Sequence, residues 1–370
     1  MPLTNYQTLG RSGLAVSPLA LGTMTFGAAR WGSGEDDSRA VFDAYINAGG
    51  NFVDTADVYS AGIGEEMLGR FIQERSLRDT VVLATKSGFA AGRGPHLGGN
   101  GSKHIHSALA GSLKRLRTDY IDLYWVHVWD SVTPAEELLE TMTSLVRAGK
   151  IRYWGLSNTP AWYVAKVATL AATRGLVGPI AMQYFYSLTN RDLEDEHAPV
   201  AAEFGLSIVP WSPLSFGFLS GKYDRATVEA AAPRGAGLPT DAAAEGDVRP
   251  SDDKRLDGAN PFGDTLFTER NWKIVETLKQ VAKEAGHTPA GMALAWVTQQ
   301  AGVTSTLMGV SRVEQIEKNI ASLDVLISPE HRAALDAVSA PESRMLYSLF
   351  TQSVRQFAVY GGSTVMPWRS

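Results

Sequence analysis

No cysteine occurs among the 370 residues. That absence excludes disulfides, Cys-ligated zinc, iron–sulfur clusters and thiol nucleophiles, and it agrees with a reducing compartment. A dominant charge is missing too: 34 Lys and Arg face 39 Asp and Glu, for a formal net charge of −5. Nothing electrostatic therefore points to nucleic acid or an anionic membrane as a partner. No apolar run approaches the ~20 residues of a membrane span. The opening stretch, MPLTNYQTLGRSGLAVSPLALG, is polar and glycine-punctuated, without the apolar core of a secretory signal. The expected location is cytoplasmic. What remains, 44% hydrophobic and 20% charged, is an ordinary globular composition, long enough for one large domain or two smaller ones.

What is present is alternation. Short apolar runs recur at 19–22, 51–54, 81–86, 122–127, 152–157, 180–183, 207–211 and 304–309. The first seven start at intervals of about 27 to 41 residues, room for a strand, a helix and two loops. Helical patterns fill the gaps. Over 102–117, Ile105, Leu109, Leu113 and Leu116 share a face. Thr133-Pro134 before Glu136 and Glu137 gives an N-cap, a first-turn proline and acids that suit the helix dipole, and Gly149 closes that helix. Thr159-Pro160 and Thr288-Pro289 repeat the start signal.

Eight strands alternating with helices predict an α/β fold, a (β/α)8 TIM barrel, over one domain spanning 1–370. A doubly wound sheet would show a glycine fingerprint after its first strand, and GTMTFG lacks that spacing. Residues 7–10 and 14–17 flank Arg11-Ser12-Gly13 as a small hairpin able to plug the barrel bottom. The stretch 224–264, rich in Ala, Gly, Pro and Asp, reads as a mobile insertion over the catalytic face. Residues 341–370 form a tail containing Tyr347, Phe350, Phe357, Tyr360 and Trp368.

In such a barrel function sits where strands end. The predicted ends carry Asp54 (with Tyr59 following in DTADVY), Lys86, His127, Ser157-Asn158, Gln183 and Trp211. Charged groups ending three neighbouring apolar runs are too costly to bury without partners. Together they can do proton transfer. An ammonium at Lys86 favours the phenolate of Tyr59, Asp54 holds Lys86 charged, and His127 can donate to a carbonyl oxygen. No side chain here supplies electrons, so a cofactor must.

The chain resembles the aldo-keto reductases over about residues 6 to 340. The matching stretches are LALGTMTFG, NFVDTADVYSAGIGEEMLG, VLATK, SLKRLRTDYIDLYWVH, GKIRYWGLSN, QYFYSL, PWSPLSFGFLSGKY and GVSRVEQIEKN, in this order. HVWD followed by TPAEE looks most like the aryl-alcohol dehydrogenase branch. The resemblance implies a catalytic tetrad of Asp54, Tyr59, Lys86 and His127, and NADPH/NADP+ lying across the mouth. It implies that Ser157, Asn158 and Gln183 hold the nicotinamide carboxamide and that Trp211 stacks on the ring. Gly22, Thr23 and Met24 would line the ribose side, with Asp54 close by. Ser212, Leu214, Ser215, Gly217 and Lys222 would meet the pyrophosphate. Gly309, Ser311, Arg312, Gln315 and Asn319 would take the adenosine end, Arg312 suiting a 2′-phosphate. Trp31, Trp129 and Trp368 are candidates for a substrate wall.

One departure stands out: Gly62-Ile63-Gly64-Glu65 replaces the family's Gly-x-Ser-Glu, with Gly64 expected as a helix cap. Other features read as structural. Trp154 and Trp296 are expected to pack, and Tyr163 and Lys166 to form a surface pair. His104 and His106, two apart on a helix, face different sides and do not make a metal site. The expected activity is NADPH-dependent reduction of an aldehyde or ketone, reversible toward alcohol oxidation, on aryl or polycyclic substrates. The small-molecule substrate is the one expected partner. Two alternatives are a cofactor-binding sensor or channel-associated subunit with little turnover, and a lyase with a Schiff base on Lys86.

Overall fold

The computed structural model describes residues 2–28, 32–230, 255–256, 264–342 and 344–365. These separate into two compact units, Met1–Ser339 and Ala340–Ser370.

The first unit opens with a hairpin, β1 (Gln7–Thr8) against β2 (Ala15–Val16). Eight strands follow: β3 (Leu19–Gly22), β4 (Phe52–Asp54), β5 (Val82–Ser87), β6 (Ile121–Val126), β7 (Ile151–Ser157), β8 (Ala181–Phe185), β9 (Ser207–Trp211) and β10 (Thr306–Gly309). They form one parallel sheet in chain order from β3 to β9, with β10 beside β3. The Ile208 N–H donates to the Gly302 carbonyl at 2.8 Å and the Thr304 N–H to the Ile208 carbonyl at 3.1 Å. Those bonds tie β9 to the chain just ahead of β10 and bring the sheet round to a (β/α)8 barrel.

Helices α1 (Glu35–Asn47), α2 (Ile63–Glu74), α3 (Ser102–Arg115), α4 (Ala135–Arg147), α5 (Ala161–Arg174) and α6 (His197–Phe204) alternate with the strands. Between β9 and β10 the chain adds α7 (Arg225–Ala230), α8 (Glu269–Glu284) and α9 (Pro289–Thr298), and α10 (Val313–Ala321) and α11 (Pro329–Ser339) follow β10. Residues 225–230 are thus helical where the sequence shows little periodicity. Of the remaining insertion only Asp224, Arg255, Leu256 and Asp264 are described; the expectation of mobility falls on residues outside the described ones.

Strand alternation divides the apolar side chains into two layers. Ala20, Phe52, Val82, Ala84, Leu123, Trp125, Ala181, Val209 and Leu307 point into the barrel with Leu9 and Val16 of the hairpin. Their neighbours, such as Leu21, Val53, Leu83, Tyr124 and Leu156, pack outward against the helices. The hairpin does close the bottom. The Gly10 N–H donates to Ser207 Oγ at 2.6 Å and the Arg11 N–H to the Gly205 carbonyl at 2.9 Å, both at the start of β9.

The three Thr-Pro start signals resolve differently. Thr288 caps α9 through Oγ1, accepting from the Gly291 N–H, with Pro289 at the first position. Ahead of α4 and α5 the extended cap residue is the proline itself, Pro134 or Pro160. There each threonine hydroxyl turns back into the preceding loop, Thr133 to Asp130 and Thr159 to the Ser157 carbonyl. Trp154 and Trp296 are fully buried as expected. The surface pairing of Tyr163 and Lys166 is wrong: Tyr163 is buried and donates to the Thr133 carbonyl, while Lys166 pairs with Glu136.

The second unit holds two short helices, α12 (Met345–Ser348) and α13 (Gln352–Val354), and a π-turn over Arg355–Val359. Tyr347 meets Phe350 edge-on, and Phe357 and Tyr360 are exposed.

Candidate active site

The inward rows of the barrel do not stop at the core. Phe52 leads to Asp54, Ala84 to Lys86, Trp125 to His127, Ala181 to Gln183, Val209 to Trp211 and Leu307 to Gly309. Each step is two residues, so each of these positions continues a core row into the C-terminal mouth. One register places them all.

Lys86 is fully buried and ion-paired with Asp54 Oδ1. Its ammonium also donates to the Thr55 carbonyl at 2.7 Å and to the Tyr59 hydroxyl at 3.4 Å. Gln183 Nε2 donates to the other Asp54 oxygen at 3.1 Å. The carboxylate is therefore engaged at both oxygens, and the ammonium is aimed at the phenol. The Tyr59 and His127 rings meet edge-on at 5.9 Å. Asp54, Tyr59, Lys86 and His127 thus converge from β4, the turn after it, β5 and the end of β6.

Burial pulls the Lys86 pKa down, but the Asp54 charge and hydrogen bond outweigh it, so the amine stays charged. Burial and the Lys86 charge both depress His127, which holds the imidazole neutral. Its Nδ1 has no partner among the described residues. Tyr59 differs from expectation. Lys86 does draw its pKa down, but burial pushes harder in the opposite direction, and the phenol ends above its ordinary value.

The implied cofactor residues lie around the same mouth. Ser157 Oγ donates to the Gln183 carbonyl at 2.8 Å. Asn158, at a left-handed φ of 46°, donates to the His127 carbonyl at 2.9 Å and accepts from the Trp211 indole at 3.3 Å. Trp211 stacks on Phe185 at 5.0 Å and 20°. Thr23 is buried with its hydroxyl on the Asp54 carbonyl at 3.1 Å, while Gly22 and Met24 are half-buried. Ser212, Ser215, Phe216 and Gly217 all have φ between 48° and 88°. Consecutive left-handed residues point backbone N–H groups to one side, the arrangement an anion-binding concavity requires. The Ser215 hydroxyl is turned away to Ser187 at 2.8 Å, which leaves its backbone as the part facing the turn. Lys222 lies beside Gly217, where an added Cβ would sit 3.1 Å from its Nζ. Gly309 has open space where a side chain would stand. Gln315 Oε1 braces the Ser311 N–H at 2.8 Å, and exposed Arg312 is the cap residue of α10, with half-buried Asn319 further along the same helix. The donor set at the strand ends, an aromatic shelf, a left-handed turn and a basic helix start, suits the chemistry of a nicotinamide dinucleotide.

Of the three wall tryptophans, Trp129 is half-buried and meets Trp162 edge-on at 5.7 Å; Trp31 and Trp368 lie outside the described residues. Several residues escape the sequence reading. Phe89, partly exposed, sets its ring 4.6 Å from His127; its place three residues past Lys86 was the available signal. Phe185 and Phe216 were readable only as core. Arg255 comes from the aperiodic insertion, yet it lies over the Phe216 ring at 4.8 Å with a guanidinium nitrogen 4.0 Å from Met24 Sδ. Burial lowers its pKa to about 10 while the nearby Tyr59 and Tyr223 hydroxyls oppose that. The helix cap expected at Gly64 is displaced: Gly62, at φ 94°, precedes α2. Glu65 is instead buried, pairing with Arg115 at 2.6 Å and Thr85 at 2.6 Å.

A (β/α)8 barrel that holds a charged lysine under a buried phenol, with a neutral imidazole beside it, is built for an oxidoreductase that moves a proton as a carbonyl is reduced or formed. The model of the Aldo/keto reductase family matches residues 18–340, and the chain belongs to that family. It is 32% identical to an aryl-alcohol dehydrogenase [NADP(+)] of Phanerodontia chrysosporium, over 91% of this chain and 86% of that one. It is 34% identical to a norsolorinic acid reductase of Emericella nidulans, over 86% and 77%. It is also 34% identical to a probable voltage-gated potassium channel subunit beta of Oryza sativa, over 90% and 96%. No helix among the described residues is long and apolar enough to cross a membrane.

Proposed function

We propose that the protein is an NADPH-dependent reductase of aryl aldehydes or ketones, with Tyr59 as the general acid. The observation that carries this is the Lys86 ammonium held between Asp54 and the Tyr59 hydroxyl at the mouth. A dihydronicotinamide bound there would supply the hydride for the carbonyl carbon. Tyr59 gives its proton to the oxygen that becomes the hydroxyl, and Lys86 stabilises the phenolate left behind. A neutral His127 has one N–H to donate to that same oxygen. Run backward, the phenolate takes the alcohol proton.

Ser157, Asn158, Gln183 and Trp211 are the groups to hold the nicotinamide end. Arg312, with the relative whose name carries NADP(+), supports NADPH over NADH. Arg255 adds a cation beside Phe216, Met24 and Tyr59. Phe89 beside His127, with Trp129 and Trp162 near the same strand end, supports a flat aromatic substrate. The Schiff-base reading is disfavoured, because a lysine held charged by Asp54 is a poor nucleophile.

The test is NADPH consumption against aromatic and aliphatic carbonyls, with Tyr59→Phe beside the wild type. Tyr59→Phe is expected to lose about 10²–10⁴-fold in kcat while binding NADPH as before. Tight NADPH binding without turnover by the wild type would instead favour a cofactor-sensing subunit, the reading that the potassium channel beta relative brings to mind.

A further inference from the structure

The Ser215 hydroxyl belongs to a closed triangle. Its Oγ is 2.8 Å from Ser187 Oγ and 2.5 Å from Thr189 Oγ1, and those two are 3.0 Å from each other. Ser187 and Ser215 are fully buried. The Thr189 N–H also donates to Ser187 Oγ at 3.2 Å. Each hydroxyl has one proton to give and two lone pairs, so the ring can satisfy all three donors at once. The loop after β8 that carries two of its members is itself pinned. Ser187 and Asn190 exchange backbone hydrogen bonds at 3.0 and 3.1 Å, and Arg270 of α8 donates to the Thr189 carbonyl at 3.2 Å.

The turn after β9 needs such a fastening. Ser215 (φ 48°), Phe216 (φ 57°) and Gly217 (φ 88°) are left-handed in succession, and only the third is a glycine. At Ser215 and Phe216 the Cβ disfavours that conformation, so it persists only where the surroundings impose it. The bonds within the turn, from the Ser215 N–H to the Ser212 carbonyl and from the Gly217 N–H to the Leu214 carbonyl, tie it to nothing else. The Phe216 ring is held by Phe185 and Trp211, at 5.6 and 6.1 Å. The Ser215 side chain is held by Ser187 and Thr189. On the NADPH reading of this mouth, we propose that Ser187 and Thr189 are positioning residues for the pyrophosphate, acting through Ser215 to keep the turn in its anion-receiving form. Without the triangle, part of the population relaxes out of the left-handed region and its N–H groups diverge. Affinity then falls by the fraction of molecules that stay competent. Neither side chain touches the cofactor in this scheme.

The test reads affinity, so it holds whether or not a carbonyl is turned over. NADPH is titrated into the full chain by its fluorescence. Adenosine 2′-monophosphate, which has the 2′-phosphate and no pyrophosphate, is titrated in parallel by calorimetry. Thr189→Val keeps the shape and removes the hydroxyl. It is expected to weaken NADPH binding about fivefold, and the same change with Ser187→Ala about tenfold or more, the scale of one or two hydrogen bonds. Adenosine 2′-monophosphate is expected to bind every variant as it binds the wild type. In a Ser215→Ala background Thr189→Val is expected to add nothing, because its route to the turn is gone. If the double variant does not fold, Thr189→Val alone decides; if adenosine 2′-monophosphate binds too weakly to measure, the Ser215→Ala background decides. Unchanged NADPH affinity in Thr189→Val, equal weakening of both ligands, or full additivity with Ser215→Ala overturns the proposal while leaving the cofactor reading in place. A wild type that binds neither ligand overturns both.

Discussion

At the scale of single residues, the costliest feature is the Lys86–Asp54 pair. Both side chains are sealed from water, and either charge left alone there faces a large desolvation penalty. Asp54→Asn keeps the shape but strands the ammonium. It is expected to lose about 3 kcal/mol or more of stability in urea unfolding, and Lys86→Met combined with it to recover part of that loss. Full additivity of the two substitutions would mean that the pair is not coupled. The same cost makes Asp54, Lys86 and His127 legible in the sequence itself. Charged and imidazole groups ending apolar runs cannot be packing residues. Phe89 escapes that filter, because an aromatic near a strand end costs nothing to place there.

At the scale of elements, period-two alternation does most of the positioning. The predicted strands fall within two residues of the observed ones at every boundary, because apolar runs bounded by turn residues leave little freedom of register. Helix starts are less legible. The same Thr-Pro pair caps α9 through its hydroxyl but turns that hydroxyl into the loop ahead of α4 and α5. Only the neighbours, Asp130 in one case and the Ser157 carbonyl in another, decide which. The hairpin at the barrel bottom gives a clean separation of stability from chemistry. Gly10 has φ 61°, and a Cβ there would be driven into the Ile180 carbonyl. Gly10→Ala is expected to cost about 2 kcal/mol or more in a denaturant melt. At temperatures where the variant stays folded, kcat is expected to be unchanged, since the mouth is at the far end of the strands. A fall in kcat matching the loss of stability would show that the two ends are linked.

At the scale of the whole molecule, Met1–Ser339 is compact by itself, and Ala340–Ser370 is a separate unit with apolar side chains such as Met345 and Phe357 exposed. A chain ending at Ser339 is therefore expected to unfold in one cooperative transition with its urea midpoint unchanged. A lower midpoint or a broadened transition would show that the tail contributes to the barrel. Eight strands, their order and the inward parity of Asp54, Lys86, His127, Gln183 and Trp211 follow from the sequence alone, because periodicity is local and a barrel repeats one local rule. The groups that close the site do not. Arg255 reaches Phe216 and Met24 from a segment with no periodic pattern, and Glu65 finds Arg115 across two helices 50 residues apart in the chain. Those meetings depend on where the backbone returns in space, and only tertiary packing decides that.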